Sequence, residues 1–246
     1  MNPLITEVKK KKEFSQLPNS LIERALGLTK SNVKEARALL RKYFGVFLTN
    51  KVLKLEDEKI LKSHVSSKNR NYKEFYEKIL EKQKNLREVL DVGCGVNGFS
   101  YGFLKENFGD IIYTGLEAIG QIVDKSNKFF REKNFEKAKV FHLDIFDLNS
   151  IENFLKESES PKAIFLFQIL DALEAFEKDF SKKLLLLIKK YLKKEDLVVI
   201  TMPTKSLSGK KKFETKREWL RYFLKENFEF REFFIEDERV FICWLK

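Results

Sequence analysis

The sequence predicts an α/β protein built on a mostly parallel seven-stranded sheet, preceded by an all-helical segment. Three observations carry this. Five short β-rich runs alternate with helical stretches after residue 87, two more close the chain around an acidic turn, and the residues upstream carry apolar side chains at helical spacing.

Taken in order, "LPNSLIERALGL" and "SNVKEARALLRKYFGVFL" read as helices, with Ser31 placed to cap the second and Glu35 nearby. "NYKEFYEKILEKQ" sets Tyr72, Phe75, Tyr76, Ile79 and Leu80 on one stripe, the pattern of a helix face packed into a core. Residues 1–86 therefore form a helical unit. From 87 to 246 the runs "EVLDVG", "IIYTGLE", "KVFHLDIF", "KAIFLFQIL" and "DLVVITMP" alternate with helices, which implies parallel strands covered on both faces. The tail "FEFREFFIEDERVFICWLK" adds an antiparallel pair at the sheet edge.

Composition narrows the partners. With 48 Lys and Arg against 37 Asp and Glu, the 246-residue chain carries a formal charge of +11, which suits polyanions. No apolar run approaches the roughly 18 residues of a membrane span, and "MNPLITEVKKKKEF" lacks the order of a secretory signal. The reading is a cytoplasmic monomer without a membrane partner. Cys94 and Cys243 lie far apart in apolar surroundings, so neither a disulfide framework nor a metal site is expected.

The chemistry starts at "VLDVGCGVNGFSYGF". At the end of the first strand, Gly93 and Gly95 let backbone approach a ligand where a side chain would collide. Asp91 lies just before this turn. Glu117 ends the second strand, where a carboxylate is placed to accept from both hydroxyls of a ribose, and Asp144 with Ile145 is placed to meet an adenine edge after the third. Gly98 also completes a spacing compatible with NAD, so the glycines alone leave the nucleotide open. After the fifth strand, a loop from Thr204 carries Lys205, Ser206, Ser208, Gly209, Lys210, Lys211 and Lys212. That composition suits phosphate contacts as well as a solvated basic loop.

Here the residues resemble known families. "DVGCG" is similar to the first motif of the Rossmann-like class I methyltransferases, which implies S-adenosylmethionine as cofactor. "PTKSLSG" resembles the Pro-Thr-Lys/Arg-Ser-Leu-(Ser/Gly)-Gly motif of the aminoglycoside-resistance family of 16S ribosomal RNA methyltransferases, which act on guanine N7 in the decoding site. "LDVGCGVN", "FLFQILDALE" and "HVSSKNRNYKEFYEKIL" are similar to further motifs of that family, and "SNVKEARALLRKYFGVFL" to its helical RNA-engaging domain.

The resemblance implies cofactor contacts from His64, Asp91, Gly93, Cys94, Gly95, Glu117, Ala118, Asp144, Ile145 and Gln168, with His64 beside the methionine end. Basic residues at helical spacing, Lys34, Arg37 and Arg41, and the hydroxyl- and lysine-rich loop with Lys205, Ser206, Lys210, Lys211 and Lys212 are the expected RNA contacts. No catalytic side chain is expected, because N7 carries an in-plane lone pair and catalysis then rests on alignment. A chain beginning near residue 60 is expected to keep cofactor binding and lose RNA binding. Departures from the pattern are Gln168 and Asp171 in place of Lys and Pro, Gly98 in place of Pro, "LEA" in place of an Asp-Ile-Asp-like segment, and "KKKF" in place of Gly-Lys-Gly-Met. They leave the base that is modified open, as between this RNA, another RNA, a small molecule and a non-catalytic RNA-binding role.

Overall fold

In the computed structural model, residues 2–45, 55, 57–63, 69–83, 85–204 and 217–246 are described. Helices α1 (Pro3–Lys9), α2 (Asn19–Leu28), α3 (Val33–Tyr43), α4 (Lys59–Ser63) and α5 (Tyr72–Ile79) precede the sheet. Strands β1 (Glu88–Val92), β2 (Ile112–Glu117), β3 (Ala138–His142), β4 (Lys162–Phe167) and β5 (Leu197–Pro203) follow, separated by α6 (Tyr101–Phe108), α7 (Gly120–Glu132), α8 (Leu148–Glu157), α9 (Leu170–Phe176) and α10 (Phe180–Tyr191). Then come α11 (Glu218–Asn227), β6 (Glu229–Ile235) and β7 (Glu238–Trp244).

The sheet order is β3-β2-β1-β4-β5-β7-β6, with β1 to β5 parallel and β7 antiparallel to both of its neighbours. The order reverses between β1 and β4, so the crevice beyond the carboxyl ends of β1, β2 and β4 is where this topology receives ligands. β1 is buried along its whole length, as a strand covered on both faces must be.

The stripe on α5 is core, as its spacing predicts: Tyr72, Phe75, Tyr76, Ile79 and Leu80 are all buried. Phe99 and Tyr101 are buried too, and Phe103 stacks on Tyr72 with centroids 5.9 Å apart. One apolar cluster runs from Ile5 in α1 to Cys243 in β7, so the upstream helices share a core with the sheet. The cap of α3 departs from expectation. Asn32, not Ser31, accepts from the Glu35 amide (3.2 Å), because Ser31 is held in the left-handed region (φ 65°) by a turn closing on Leu26. The third β-rich run is also shorter than its apolar pattern, since Asp144 turns the chain by accepting from the Phe146 amide (3.0 Å).

No described helix is long and apolar enough to cross a membrane. Cys94 and Cys243 are both buried free thiols.

Candidate active site

The loop after β1 is built on two residues with positive φ, Gly93 (70°) and Gly95 (50°). Amides of Gly93 and Cys94 both donate to the Leu116 carbonyl, at 2.8 and 3.1 Å, which ties the loop to the end of β2. A Cβ on Gly93 would lie 1.9 Å from Ile169 Cδ1, so only glycine lets the loop pass beneath the segment after β4. Cys94 turns its sulfur inward against Gly115 and away from the crevice. Burial, with Asp91 and Glu117 nearby, pushes its thiol far above the usual range.

Two acids are sunk beneath this loop. Asp91 is fully buried; its Oδ2 accepts from Asn97 Nδ2 (2.7 Å) and Tyr113 Oη (2.8 Å), while its Oδ1 has no partner. Burial raises its pKa to about 6, against the pull of these hydrogen bonds and of Arg70. Glu117 is 5% exposed. Its Oε2 accepts from the Gly95 amide (2.7 Å) and its Oε1 from the Ile119 amide (2.9 Å), and burial raises its pKa to about 7.

The remaining predicted contacts gather at neighbouring strand ends. Ala118 is buried, with its carbonyl 3.0 Å from His142 Nε2, and the Leu143 amide donates to the Glu117 carbonyl (2.9 Å), which brings Asp144 and buried Ile145 beside the end of β2. Gln168 stands half-buried at φ 56°, its amide donating to the Thr201 carbonyl (2.9 Å) at the β4–β5 boundary. His64, Lys205, Ser206, Lys210, Lys211 and Lys212 lie outside the described residues.

The predicted RNA-facing helix is more self-contained than its sequence suggests. Lys34 is exposed, but Arg37 donates to the Glu7 carbonyl and faces its carboxylate at 3.5 Å, and Arg41 pairs with Glu13 at 2.7 Å. Sequence spacing marks a basic face; it does not reveal acids brought in from 28–30 positions upstream.

Several residues of the site escape sequence reasoning. Asp171, which stands where a proline was expected, holds Arg217, and Arg217 also donates to the Pro203 carbonyl (3.1 Å). The Thr204 amide donates to the Asp237 carbonyl (2.9 Å) at the end of β5. Buried Arg70 forms a bidentate pair with Glu238 (2.6 and 2.8 Å) and reaches Asn97 Oδ1 at 3.5 Å. Glu174, the acid of "LDALE", accepts from the Asp179 and Ser181 amides and thereby caps α10.

A cavity of about 480 Å³ opens elsewhere, at the amino ends of the strands, lined by Ile79, Lys82, Pro161, Lys194 and Trp244 among others. It holds neither the glycine loop nor the acidic strand ends.

The profile of the methyltransferase-domain family matches residues 63–238. The chain belongs to that family. No curated protein sequence matches it. Among solved structures, the 16S rRNA methylase ArmA is similar at 21% identity and TM-score 0.53, covering 85% of this chain and 97% of ArmA. A structure of MtNAS in complex with MTA and tNA is similar at 13% identity and TM-score 0.54, covering all of this chain and 88% of the other. Precorrin-6y C5,15-methyltransferase from Geobacter metallireducens GS-15 matches at 12% identity and TM-score 0.51, over 71% of this chain and 87% of the other. At these identities the likeness is one of fold: the seven-stranded, mostly parallel methyltransferase sheet.

Proposed function

We propose that the protein is an S-adenosylmethionine-dependent methyltransferase whose substrate is small-subunit ribosomal RNA, with guanine N7 as acceptor. The observation that carries the cofactor reading is the Gly95–Glu117 contact. It sets a buried carboxylate against a glycine turn at the topological switch point, where ribose hydroxyls find an acceptor and backbone a close approach. The partnerless Asp91 Oδ1 suits a cationic ligand, since a buried carboxylate oxygen without a donor is otherwise costly.

When bound, the cofactor supplies an electrophilic methyl carbon on a sulfonium sulfur. The chain's own part is positional: Gly93 and Gly95 admit the ligand, Glu117 orients the ribose, Asp144 and Ile145 bound the base, and Ile169 closes over the loop. An N7 acceptor gives up no proton, so no side chain need act as a base.

For the substrate, support comes from the "PTKSLSG" stretch, the net charge of +11 and the ArmA likeness along the chain. A second reading, a methyltransferase of small molecules, draws on the likeness to precorrin-6y C5,15-methyltransferase and on the contact of α2 with Asp144. The test is incubation with labelled S-adenosylmethionine and, in parallel, 30S subunits, naked small-subunit RNA and free nucleosides. Label in RNA that maps to one guanine and yields 7-methylguanine on hydrolysis supports the proposal. Label confined to free nucleosides overturns it in favour of the second reading.

A further inference from the structure

We propose that the turn Lys12–Ser20 and the start of α2 form a wall of the adenosine subsite, with Ser20 meeting the base edge and Gln16 seating the turn against the start of α7. Seating of the N-terminal helices and cofactor binding are then one coupled equilibrium. This rests on the cofactor reading above.

The contacts follow the ends of successive strands. Beyond β2, the Gln16 carbonyl accepts from the Gly120 amide (3.4 Å), and a Cβ on Gly120 would lie 2.7 Å from Gln16 Oε1 and 2.8 Å from its Cβ. Gln121 Nε2 donates to the Lys12 carbonyl (3.1 Å) and to Ser15 Oγ (3.3 Å). Beyond β3, Ser20 Oγ donates to Asp144 Oδ2, and the Arg24 guanidinium lies 4.5 Å from the Phe146 ring centroid. Beyond β4, Arg24 pairs with Glu177 at 2.5 Å. No contact in this set belongs to the methyltransferase sheet alone.

The chemistry of the wall has a direction. Asp144 is an acceptor, and the Ser20 hydroxyl that donates to it is freed to donate elsewhere once an amino group takes its place on Asp144. An acceptor beside a donor complements the N6 amino group and N1 of adenine, and mismatches the O6 and N1–H of hypoxanthine. A ligand bridging Asp144 and Ser20 binds the seated arrangement more tightly than an unseated one. By linkage, seating strengthens binding by the same factor.

The experiment uses the full chain and S-adenosylhomocysteine, with its 6-oxo analogue S-inosylhomocysteine as the control ligand. Hydrogen exchange of the amides in 19–28 is expected to slow on saturation with S-adenosylhomocysteine. By calorimetry, Gly120→Ala is expected to weaken binding about tenfold or more, because its methyl displaces Gln16, while Gly120→Ala with Gln16→Gly restores it. Ser20→Ala is expected to shrink the preference for S-adenosylhomocysteine over the analogue by about three- to tenfold. Ser20→Ala covers the case in which Gly120→Ala does not fold.

The proposal is overturned if the wild-type chain binds S-adenosylhomocysteine with unchanged exchange in 19–28. It is also overturned if Ser20→Ala keeps the full preference, or if the Gln16 change fails to rescue Gly120→Ala, since the methyl then acts on the ligand directly. A wild-type chain that binds no S-adenosylhomocysteine overturns the cofactor reading itself, and this wall with it.

Discussion

The two ends of the same sheet bury charge in opposite ways. At the amino end, Lys162 is 2% exposed and surrounded: its Nζ donates to Ser158 Oγ (2.8 Å) and the Leu155 carbonyl (3.3 Å) and lies 3.9 Å from Asp196. Asp196 accepts from the Lys162 and Lys193 amides (3.0 and 2.8 Å), and Glu88 from Thr114 and the Glu159 amide (3.0 and 2.8 Å). At the carboxyl end, Asp91 and Glu117 are buried with no cation in hydrogen-bond contact among the described residues, and Arg70 stops one side chain short, at Asn97. A cluster that contains its own cation is finished by folding. One that buries two acids and leaves an oxygen orphaned is, under the function proposed above, finished by a ligand.

The sharpest way to break this comparison is at the finished end. Lys162→Met leaves Asp196 and Glu88 without their buried cation and is expected to cost about 3–5 kcal/mol of stability. Denaturant titration measures it, and S-adenosylmethionine affinity of the folded fraction should not change. An equal loss of cofactor affinity would show that the two ends are not independent.

At the unfinished end the signs invert. Glu117→Ala removes the carboxylate proposed to accept two ribose hydroxyls, each worth about 1.5–3 kcal/mol to a charged acceptor, and calorimetry should show S-adenosylmethionine affinity falling by about a hundredfold or more. Its stability at pH 8 should hold or rise, because a buried charge has been deleted.

Acidity sharpens the contrast further. Burial holds Glu117 near 7 and Asp91 near 6, above their ordinary 4.5 and 3.8, so the folded chain retains protons that the unfolded chain has already released. Their contribution to stability is present in acid and is lost as pH rises through 6 to 7. Cofactor affinity runs the other way. If the ionised Glu117 is the ribose acceptor, affinity should rise about tenfold between pH 6 and pH 8, with protons released on binding. Calorimetry in buffers of different ionisation enthalpy reads both, and a flat profile would remove Glu117 from the site.

The smallest effect separates the two ends on RNA. Neutralising Lys210, Lys211 and Lys212, which follow β5 in the sequence, should make the log-affinity against log-salt slope shallower by about 0.7–0.9 for each phosphate that is no longer neutralised. Neutralising Lys193 and Lys194, at the amino end, should leave the slope unchanged.

The sheet was legible in the sequence because short β-rich runs alternate with helical spacing, and the acids at the ends of the first three runs placed Asp91, Glu117 and Asp144 at one edge. The rest depends on partners far apart in the chain. Arg37 and Arg41 look like an open basic face until Glu7 and Glu13 fold back onto them. Asp171 looks like a motif failure until Arg217 arrives from beyond the loop. Arg70 carries no signal of its own until it meets Glu238, 168 positions on. The reach of Ser20 to Asp144 is of the same kind: hydroxyl and carboxylate each read locally as surface residues.

That reach has a consequence for how the chain is made. Ser20 waits for a partner 124 residues downstream and Arg24 for one 153 residues downstream. At about 5–20 residues per second of synthesis, α2 is made roughly 8–30 s before Glu177 exists to receive it. During that interval Leu21, Ile22, Ala25 and Leu26, all buried in the finished protein, have only α1 and α3 to shield them. The neighbouring run Lys9–Lys12 then acts as a solubilising flank, and substitutions on the inner face of α2 should lower yield in the cell more than they lower the melting temperature of the protein that survives.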